Sequence, residues 1–139
     1  MAKTILNVDY DFNFWLIGIS CHLRDYRISW IINKLLDIAL KKENDYEIAQ
    51  KKPADTQYFS HYSCMCEQTQ RMYHLFSNKC PSGFLLPEVK HADYLLMMDG
   101  NFNEQIIDDI CKTLRTSNQI NAVFIIDVET LKSKKNLIF

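Results

Sequence analysis

The sequence of 139 residues is poor in glycine and proline, with three of each. Its glycines, Gly18, Gly83 and Gly100, are scattered, so the chain has no glycine-rich loop of the kind that binds phosphate groups through backbone N–H groups. We therefore expect no nucleotide cofactor, and no other residue pattern indicates a cofactor. With so few of these residues, the turns should be short or built from Asn, Asp, Ser and Lys.

An excess of charge of either sign is also missing. Sixteen Lys and Arg residues are balanced by seventeen Asp and Glu residues, which gives a net charge of −1 and a pI of about 6.4. A nucleic-acid-binding protein is expected to have a basic surface, and so is a protein that binds an anionic membrane. We therefore expect neither a nucleic acid nor a membrane as partner.

Long apolar runs are absent, since none approaches the roughly 20 residues of a membrane-spanning helix. The first ten residues also lack the basic start and apolar centre of a signal peptide. The five cysteines are an odd number, and without a secretory signal we interpret them as reduced thiols. We expect a cytoplasmic protein with one α+β domain over residues 1–139, of which residues 129–139 form a C-terminal tail.

The densest apolar pattern lies near the start of the chain. Residues 6–16 alternate between apolar even-numbered and mostly polar odd-numbered positions, which predicts a strand with one buried face. From Trp15 onward the odd-numbered positions, including Ile17 and Ile19, are apolar too, so both faces should be covered. We expect the C-terminal tail or another chain to cover this second face, and Gly18 to mark a bulge or a close backbone approach.

An amphipathic helix should follow from Asp25 to about Lys41, with Asp25 as its N-cap. Trp30 falls within the polar stripe of this helix. Its indole either lies along the helix against a neighbouring loop or contacts a partner protein, because tryptophan is enriched at interaction hot spots. Trp15, on the second apolar face of the strand, is a further candidate for such a contact.

The rest of the chain predicts four more strands and a second helix. Strands over residues 56–66 and 71–76 are separated by a short polar break, which indicates a hairpin. A fourth strand precedes a helix that is capped by Asn101 or Asn103, and a fifth covers residues 120–128. The order β-α-β-β-β-α-β predicts an α+β two-layer sandwich, in which a mainly antiparallel five-stranded sheet has both helices on one face.

Cysteine and histidine residues in the middle of the chain raise the question of a zinc site. Structural zinc ligands usually lie two to four residues apart in a tight turn, whereas Cys64 and Cys66 are separated by one residue within a predicted strand. They share a face with each other and not with His61. The other candidate zinc ligands in this part of the chain are His74 and Cys80. We predict no metal site, with the cysteines acting as small buried apolar side chains.

Two polar groups deserve comparison as sites of acid–base or nucleophilic chemistry. Cys21 and His22 are neighbours in a predicted strand, so they point to opposite faces and do not easily form a catalytic pair. Glu88, His91 and Asp93 precede a buried strand and offer an acid and a base. The structural alternative is that Glu88 braces its loop and that Asp93 binds backbone N–H groups.

Residues 86–94 read Leu-Pro-Glu-Val-Lys-His-Ala-Asp-Tyr. This segment resembles the motif of the IPExxxVDY family, small proteins of the Bacteroidetes, in which Ile-Pro-Glu and Val-Asp-Tyr are separated by three variable residues. Positions within residues 9–20 and 131–139 are similar to that family as well. The resemblance implies a bacterial cytoplasmic single-domain protein and assigns no catalytic residue. The motif positions are Leu86, Pro87, Glu88, Ala92, Asp93 and Tyr94.

Two functions therefore stay open. The first is a non-enzymatic protein-interaction or regulatory module, expected to be a homodimer that associates through an edge or face of the sheet. Its support is that apolar residues exceed what one helical layer needs and that the sequence offers no coherent catalytic set. The apolar C-terminus docks on its own sheet, docks on a partner subunit or frays. The second is an enzyme or small-ligand-binding protein with a polar pocket near Glu88, His91 and Asp93. The interaction candidates are Trp15, Trp30, Leu137, Ile138 and Phe139.

Overall fold

The computed structural model describes residues 13–137. Within this range lie two α-helices, α1 (Asp25–Leu36) and α2 (Glu104–Leu114). Neither of these helices is long and apolar enough to span a membrane. The strands in the same range are β1 (Trp15–Ser20), β2 (Lys41–Lys42), β3 (Tyr46–Ile48), β4 (Gln57–Phe59), β5 (His61–Cys66), β6 (Arg71–Ser77), β7 (Lys79–Cys80), β8 (Gly83–Phe84), β9 (Tyr94–Gly100) and β10 (Ala122–Ile126).

The main sheet of the described chain has six strands in the spatial order β10-β1-β9-β6-β5-β2, and every neighbouring pair is antiparallel. The α+β class, with its two helices and antiparallel sheet, is confirmed. The sheet has one strand more than the expected five, because Lys41 and Lys42 pair with β5. The single strand predicted over residues 56–66 is divided, since β4 leaves the main sheet and pairs with β3.

Strand β1 is buried on both faces. Ile17 and Ile19 pack in one cluster with apolar residues of both helices, whereas Leu16 packs in a second cluster with Leu131 and Leu137. Coverage of both faces is confirmed, but the assignment of the covers is wrong. The helices cover the Ile17 face, and the segment after β10 folds back over the Leu16 face because its turns of 3₁₀ helix place Leu131 and Leu137 there.

Gly18 allows a close approach between β1 and β10. It lies opposite Phe124 in the strand register, and a Cβ atom at Gly18 would lie 2.5 Å from ring carbons of Phe124. The sequence predicted a bulge or a close backbone approach at Gly18, whereas the structure shows a close approach by a side chain. The absence of a side chain at Gly18 therefore lets an aromatic ring cover β1 at the border of the sheet.

Helix α1 ends at Leu36, about one turn before its predicted end. Asp37 adopts the left-handed conformation with φ of 54°, and the side chain of Asn33 binds both the N–H (2.7 Å) and the C=O (3.2 Å) of Leu40. These contacts turn the chain toward β2. The predicted N-cap is also displaced, since Arg24 occupies that position and Asp25 is the first helical residue.

Two other local predictions hold. The carboxamide oxygen of Asn103 accepts a hydrogen bond from the N–H of Ile106 (2.8 Å), so Asn103 is the N-cap of α2. Strands β5 and β6 form the expected hairpin, with His61 opposite Phe76 at its open end. Both features depend on residues that are close in sequence: the helix start depends on a capping side chain, and the hairpin depends on a short connection.

Candidate functional site

The Pro87 segment (residues 86–94) contains the positions of the family resemblance. Leu86 and Ala92 are fully buried, and Tyr94 is nearly so. The hydroxyl of Tyr94 donates a hydrogen bond to the carbonyl oxygen of Leu23 (2.6 Å). Burial raises the pKa of the Tyr94 phenol well above its ordinary value, so the phenol stays protonated as a structural donor.

Glu88 binds the C-terminal part of the chain. Its two carboxylate oxygens accept hydrogen bonds from the N–H (2.8 Å) and the hydroxyl (2.5 Å) of Ser133. Partial burial acts in the opposite direction, but these bonds lower the pKa of the Glu88 carboxyl. Glu88 therefore connects the turn at Pro87–Val89 to the segment whose Leu137 is buried against the sheet.

Asp93 joins two other segments. One carboxylate oxygen lies 2.5 Å from the ammonium nitrogen of Lys79, and the other accepts a hydrogen bond from the backbone N–H of Cys21 (2.9 Å). Burial raises the pKa of the Cys21 thiol, which favours the neutral thiol. Cys21 is thus a buried structural residue beside Asp93, and its thiol is poorly suited to act as a nucleophile.

The side chain of His91 contacts β10. Its imidazole stacks on the ring of Phe124 with a centroid distance of 4.6 Å, and its carbonyl oxygen accepts from the hydroxyl of Ser20. Among the described residues, Glu88, His91 and Asp93 form no hydrogen bond or ion pair with one another. The three predicted pocket residues therefore bind separate parts of the fold, and no acid–base pair is brought together here.

Asn78 organises the Pro87 segment and was not singled out from the sequence. Its side chain is fully buried. The carboxamide nitrogen donates to the carbonyl oxygens of Val89 and Ala92, both at 3.0 Å. The carboxamide oxygen accepts from the N–H of Leu86 at 2.8 Å. One buried side chain therefore satisfies three backbone groups of a segment that has little regular structure of its own.

The contact between Glu88 and Ser133 predicts a local effect on stability. Replacing Glu88 by glutamine should cost about 1 kcal/mol and should speed amide exchange in residues 131–137. Glu67→Gln, at another exposed carboxylate, is the control. A double-mutant cycle with Ser133→Ala, followed by urea unfolding, measures the coupling directly. Because Ser133→Ala keeps the N–H that binds Glu88, additive effects of the two substitutions would show that the hydroxyl bond of Ser133 contributes nothing.

A histidine pair lies on the sheet face opposite the helices. Nε2 of His61 lies 2.9 Å from Nδ1 of His74, and His61 stacks on Phe76 with a centroid distance of 4.6 Å. Burial, together with the charge of His61, lowers the pKa of His74 to about 4, whereas Glu43 acts in the opposite direction. His74 is therefore neutral at pH 7, and burial lowers the pKa of His61 as well.

Metal ligation finds no support in residues 13–137, where no group of three or more His, Cys, Asp or Glu side chains is arranged to hold an ion. The five cysteines are all free. Hydrogen bonds from Thr69 lower the pKa of the half-buried Cys66 thiol.

The interaction candidates differ in exposure. Trp30 is 50% exposed, with the guanidinium of Arg27 and the ammonium of Lys34 over its ring at 4.7 and 5.1 Å. Trp15 is partly buried against the helix-side core, and Leu137 is buried on the opposite side. Ile138 and Phe139 lie outside the described residues. The indole of Trp30 thus contacts two cationic side chains of its own helix.

The border of the sheet at β10 has accessible backbone groups. The carbonyl of Ile19 accepts from Asp93 on the β9 side, so Val123, which is paired with Ile19, directs its own N–H and C=O away from β1. The guanidinium of Arg115 donates to this Val123 carbonyl (2.7 Å). Two residues further along β10, the backbone N–H and C=O of Ile125 also point away from β1, and Ile125 is 45% exposed.

The two borders of the described sheet differ in how they are protected. Strand β2 has only two residues, both exposed lysines, and short, charged edges resist pairing with other chains. Strand β10 reads Ala-Val-Phe-Ile-Ile and has neither charge nor proline. Its exposed Ile125 is therefore an apolar side chain on a strand that lacks the usual protection.

A groove adjoins the end of β10. It has a volume of about 480 Å³ and lies between the residues around Trp15 and those that follow the strand. Ile125 and Ile126 of β10 line it, as do Asp127 and Glu129, and the carboxylate of Glu129 lies 3.6 Å from the ammonium nitrogen of Lys134. The groove is therefore continuous with the β10 edge.

Comparison with known proteins gives no identity for the chain. No model of a protein family matches it, and no curated protein is significantly similar. Function must therefore be inferred from the residues themselves. In residues 13–137 the polar residues of the predicted pocket bind other parts of the fold, and β10 is a border strand of the main sheet with an exposed Ile125.

Proposed function

We propose that this protein is a non-enzymatic protein-interaction module that binds through the β10 edge, defined as Ala122–Ile126 with its outward backbone groups. The observation that supports this most is the contrast between the two borders of the described sheet. The β2 border consists of two lysines, whereas the five residues of β10 are all apolar, and Arg115 binds one of their outward carbonyls. Binding would occur by strand addition, in which main-chain hydrogen bonds supply affinity and alternate side chains supply specificity.

The alternative of a polar-pocket enzyme receives less support. Glu88 is bound to Ser133, Asp93 is bound to Lys79, and the ring of His91 stacks on Phe124. A catalytic acid and base must both reach the reacting atoms of one substrate. These three side chains instead contact different parts of the fold. The Pro87 segment instead supports the proposal that its sequence pattern maintains the fold next to the β10 edge.

We also propose that the chain is related to the IPExxxVDY proteins and that it works in a bacterial cytoplasm. The resemblance of the Pro87 segment supports the first point. The support for the second is that all five cysteines are free, as expected in a reducing compartment. Neither point assigns an activity, and both agree with an interaction role.

Site-specific photocrosslinking in the protein's native cells tests the proposed function. A benzophenone amino acid at Ala122, on the exposed edge, should give an adduct of defined mass. The same probe at Gln105, on the exposed surface of α2, is the control position. The adduct should disappear when Ile125 is replaced by proline, because proline removes the outward N–H.

The companion variant Ile125→Thr retains the N–H and a β-branched side chain, so it should retain the adduct. Equal adducts at Ala122 in the Ile125→Pro and Ile125→Thr backgrounds would contradict binding by strand addition. A complete lack of adducts at Ala122 would contradict the interaction function at this edge. The mass of the adduct identifies whether the partner is a second copy or a different protein.

A further inference from the structure

We propose that the partner at the β10 edge is a second copy of the same chain, paired antiparallel about a two-fold axis through Phe124. This inference rests on the proposed function and names its partner. A two-fold axis makes the same surface serve both copies, and it necessarily brings two identical edge strands together in antiparallel orientation. The result is a continuous sheet across both copies.

The backbone groups of the edge match this arrangement. Val123 and Ile125 direct two N–H donors and two C=O acceptors away from β1. An axis at Phe124 places Val123 opposite Ile125 of the second copy, so each donor meets an acceptor and four hydrogen bonds form. The Val123 carbonyl already accepts from Arg115, but a carbonyl oxygen has two lone pairs and accepts a second donor.

Side chains across the axis are compatible with the same register. The two copies of Phe124 lie opposite each other at the axis, while each ring stays packed over Gly18 of its own β1. Ile125 comes beside Val123 of the second copy on the helix side, which covers the exposed part of Ile125. Ala122 comes opposite Ile126, at the mouth of the groove, where a small residue is accommodated.

The charges at the ends of the strand favour the antiparallel arrangement. Arg115 lies at the start of β10, where it binds Val123. Asp127 follows the end of β10 and lines the groove; its carboxylate accepts from the N–H of Glu129, and Glu129 itself is paired with Lys134. Antiparallel pairing brings Arg115 of one copy toward Asp127 of the other at both sides of the axis, so these opposite charges favour the pairing.

A five-residue strand pair is a small contact, so association should be reversible rather than permanent. Stable interfaces usually bury about 1,600 Å² in total, and smaller ones belong to transient complexes. We therefore expect a monomer–dimer equilibrium that depends on protein concentration over the micromolar range.

Sedimentation velocity of the purified full chain, from about 1 to 500 μM, tests the inference. The unmodified protein should shift from monomer to dimer as its concentration rises. Ile125→Pro should raise the dissociation constant at least about tenfold, because the central hydrogen bonds are lost. Ile125→Thr should dimerise as before. Trp30→Ala removes an exposed aromatic residue elsewhere and should leave dimerisation unchanged.

Circular dichroism and thermal unfolding check that Ile125→Pro is folded. If that variant unfolds, Ala122→Lys provides a second route, since an edge lysine opposes strand pairing and leaves the bonds to β1 intact. A monomer at every concentration overturns the second-copy inference, as does dimerisation that is lost in Trp30→Ala and kept in both edge variants.

The experiments distinguish failure of the proposed function from failure of the second-copy inference. A monomeric purified chain, together with an Ala122 crosslink in cells that disappears in Ile125→Pro, leaves the interaction function standing with a different partner. A monomeric chain without any such crosslink removes both proposals. A dimer that responds to the edge variants supports both.

Discussion

Replacing Asn78 by alanine is expected to lower the free energy of unfolding by about 4 kcal/mol. The side chain is fully buried and binds three backbone groups. Its removal leaves the N–H of Leu86 and the C=O of Ala92 without partners in the interior, at a cost of about 1–3 kcal/mol each, and creates a cavity. The Val89 carbonyl still accepts from Ala92 N–H.

Urea unfolding of Asn78→Ala, compared with Asn118→Ala at an exposed position, measures this effect. Asn118→Ala should change the free energy of unfolding by less than about 0.5 kcal/mol. Asn78→Asp preserves the shape and the acceptor but cannot donate while ionised, so it should be nearly as unstable at neutral pH. A loss below about 1 kcal/mol in Asn78→Ala would mean that the Pro87 segment does not depend on Asn78.

Acidification should destabilise the protein through the histidine pair. His74 is 9% exposed, and its pKa falls from 6.5 to about 4 because burial and the neighbouring His61 disfavour the charged form. The folded state therefore binds fewer protons than the unfolded state at pH values between about 4 and 6.5. Stability should fall as the pH drops from 6.5 toward 4, and this contribution should be constant below that value.

The size of the effect follows from the shift in the pKa of His74. The shift of about 2.5 units, from 6.5 to about 4, corresponds to about 3 kcal/mol at its limit. Burial also lowers the pKa of His61, with Lys42 adding to this and Glu43 opposing it, so His61 acts in the same direction. Nearly all of the loss should occur between pH 6.5 and 4.

Denaturant unfolding at a series of pH values checks this prediction. His74→Leu should show a much smaller loss between pH 7 and pH 4.5, because the group that takes up the proton on unfolding is gone. His22→Gln, at an exposed histidine, should follow the unmodified protein. An unchanged pH dependence in His74→Leu would exclude His74 as its source.

The features that could be predicted from the sequence depend on short-range patterns. Period-two alternation placed Ile17 and Ile19 on one face of β1, because successive side chains point to opposite sides of any strand. The cap of α2 was narrowed to two asparagines, and Asn103 is the one that binds Ile106. These outcomes need only the local conformation, which neighbouring residues determine.

The features that could not be predicted depend on contacts between distant segments. Helix α1 ends early because Asn33 reaches Leu40, seven residues away, after Asp37 turns the chain. Asn78 looked like an ordinary loop residue, and its role exists only once the Pro87 segment has folded around it. Spacing alone does not reveal such partners, since each depends on the complete topology.

The candidate site shows the same division. Glu88, His91 and Asp93 are close in sequence, which suggested a shared pocket, but they bind segments 45, 33 and 14 residues away, at Ser133, Phe124 and Lys79. The apolar, uncharged character of β10 was visible in the sequence. Its position at the border of the sheet was not, because the order of strands is set by long-range pairing.

Amide hydrogen exchange at Ile125, measured by NMR at low and high protein concentration, tests the central claim most directly. The N–H of Ile125 points away from β1, so it exchanges rapidly in the monomer and should be protected when a second copy pairs with β10. We predict protection that rises with concentration at Val123 and Ile125 and is absent at Gln105. Exchange at Ile125 that is equally fast at both concentrations, in a solution where sedimentation detects dimers, would contradict pairing through the β10 edge.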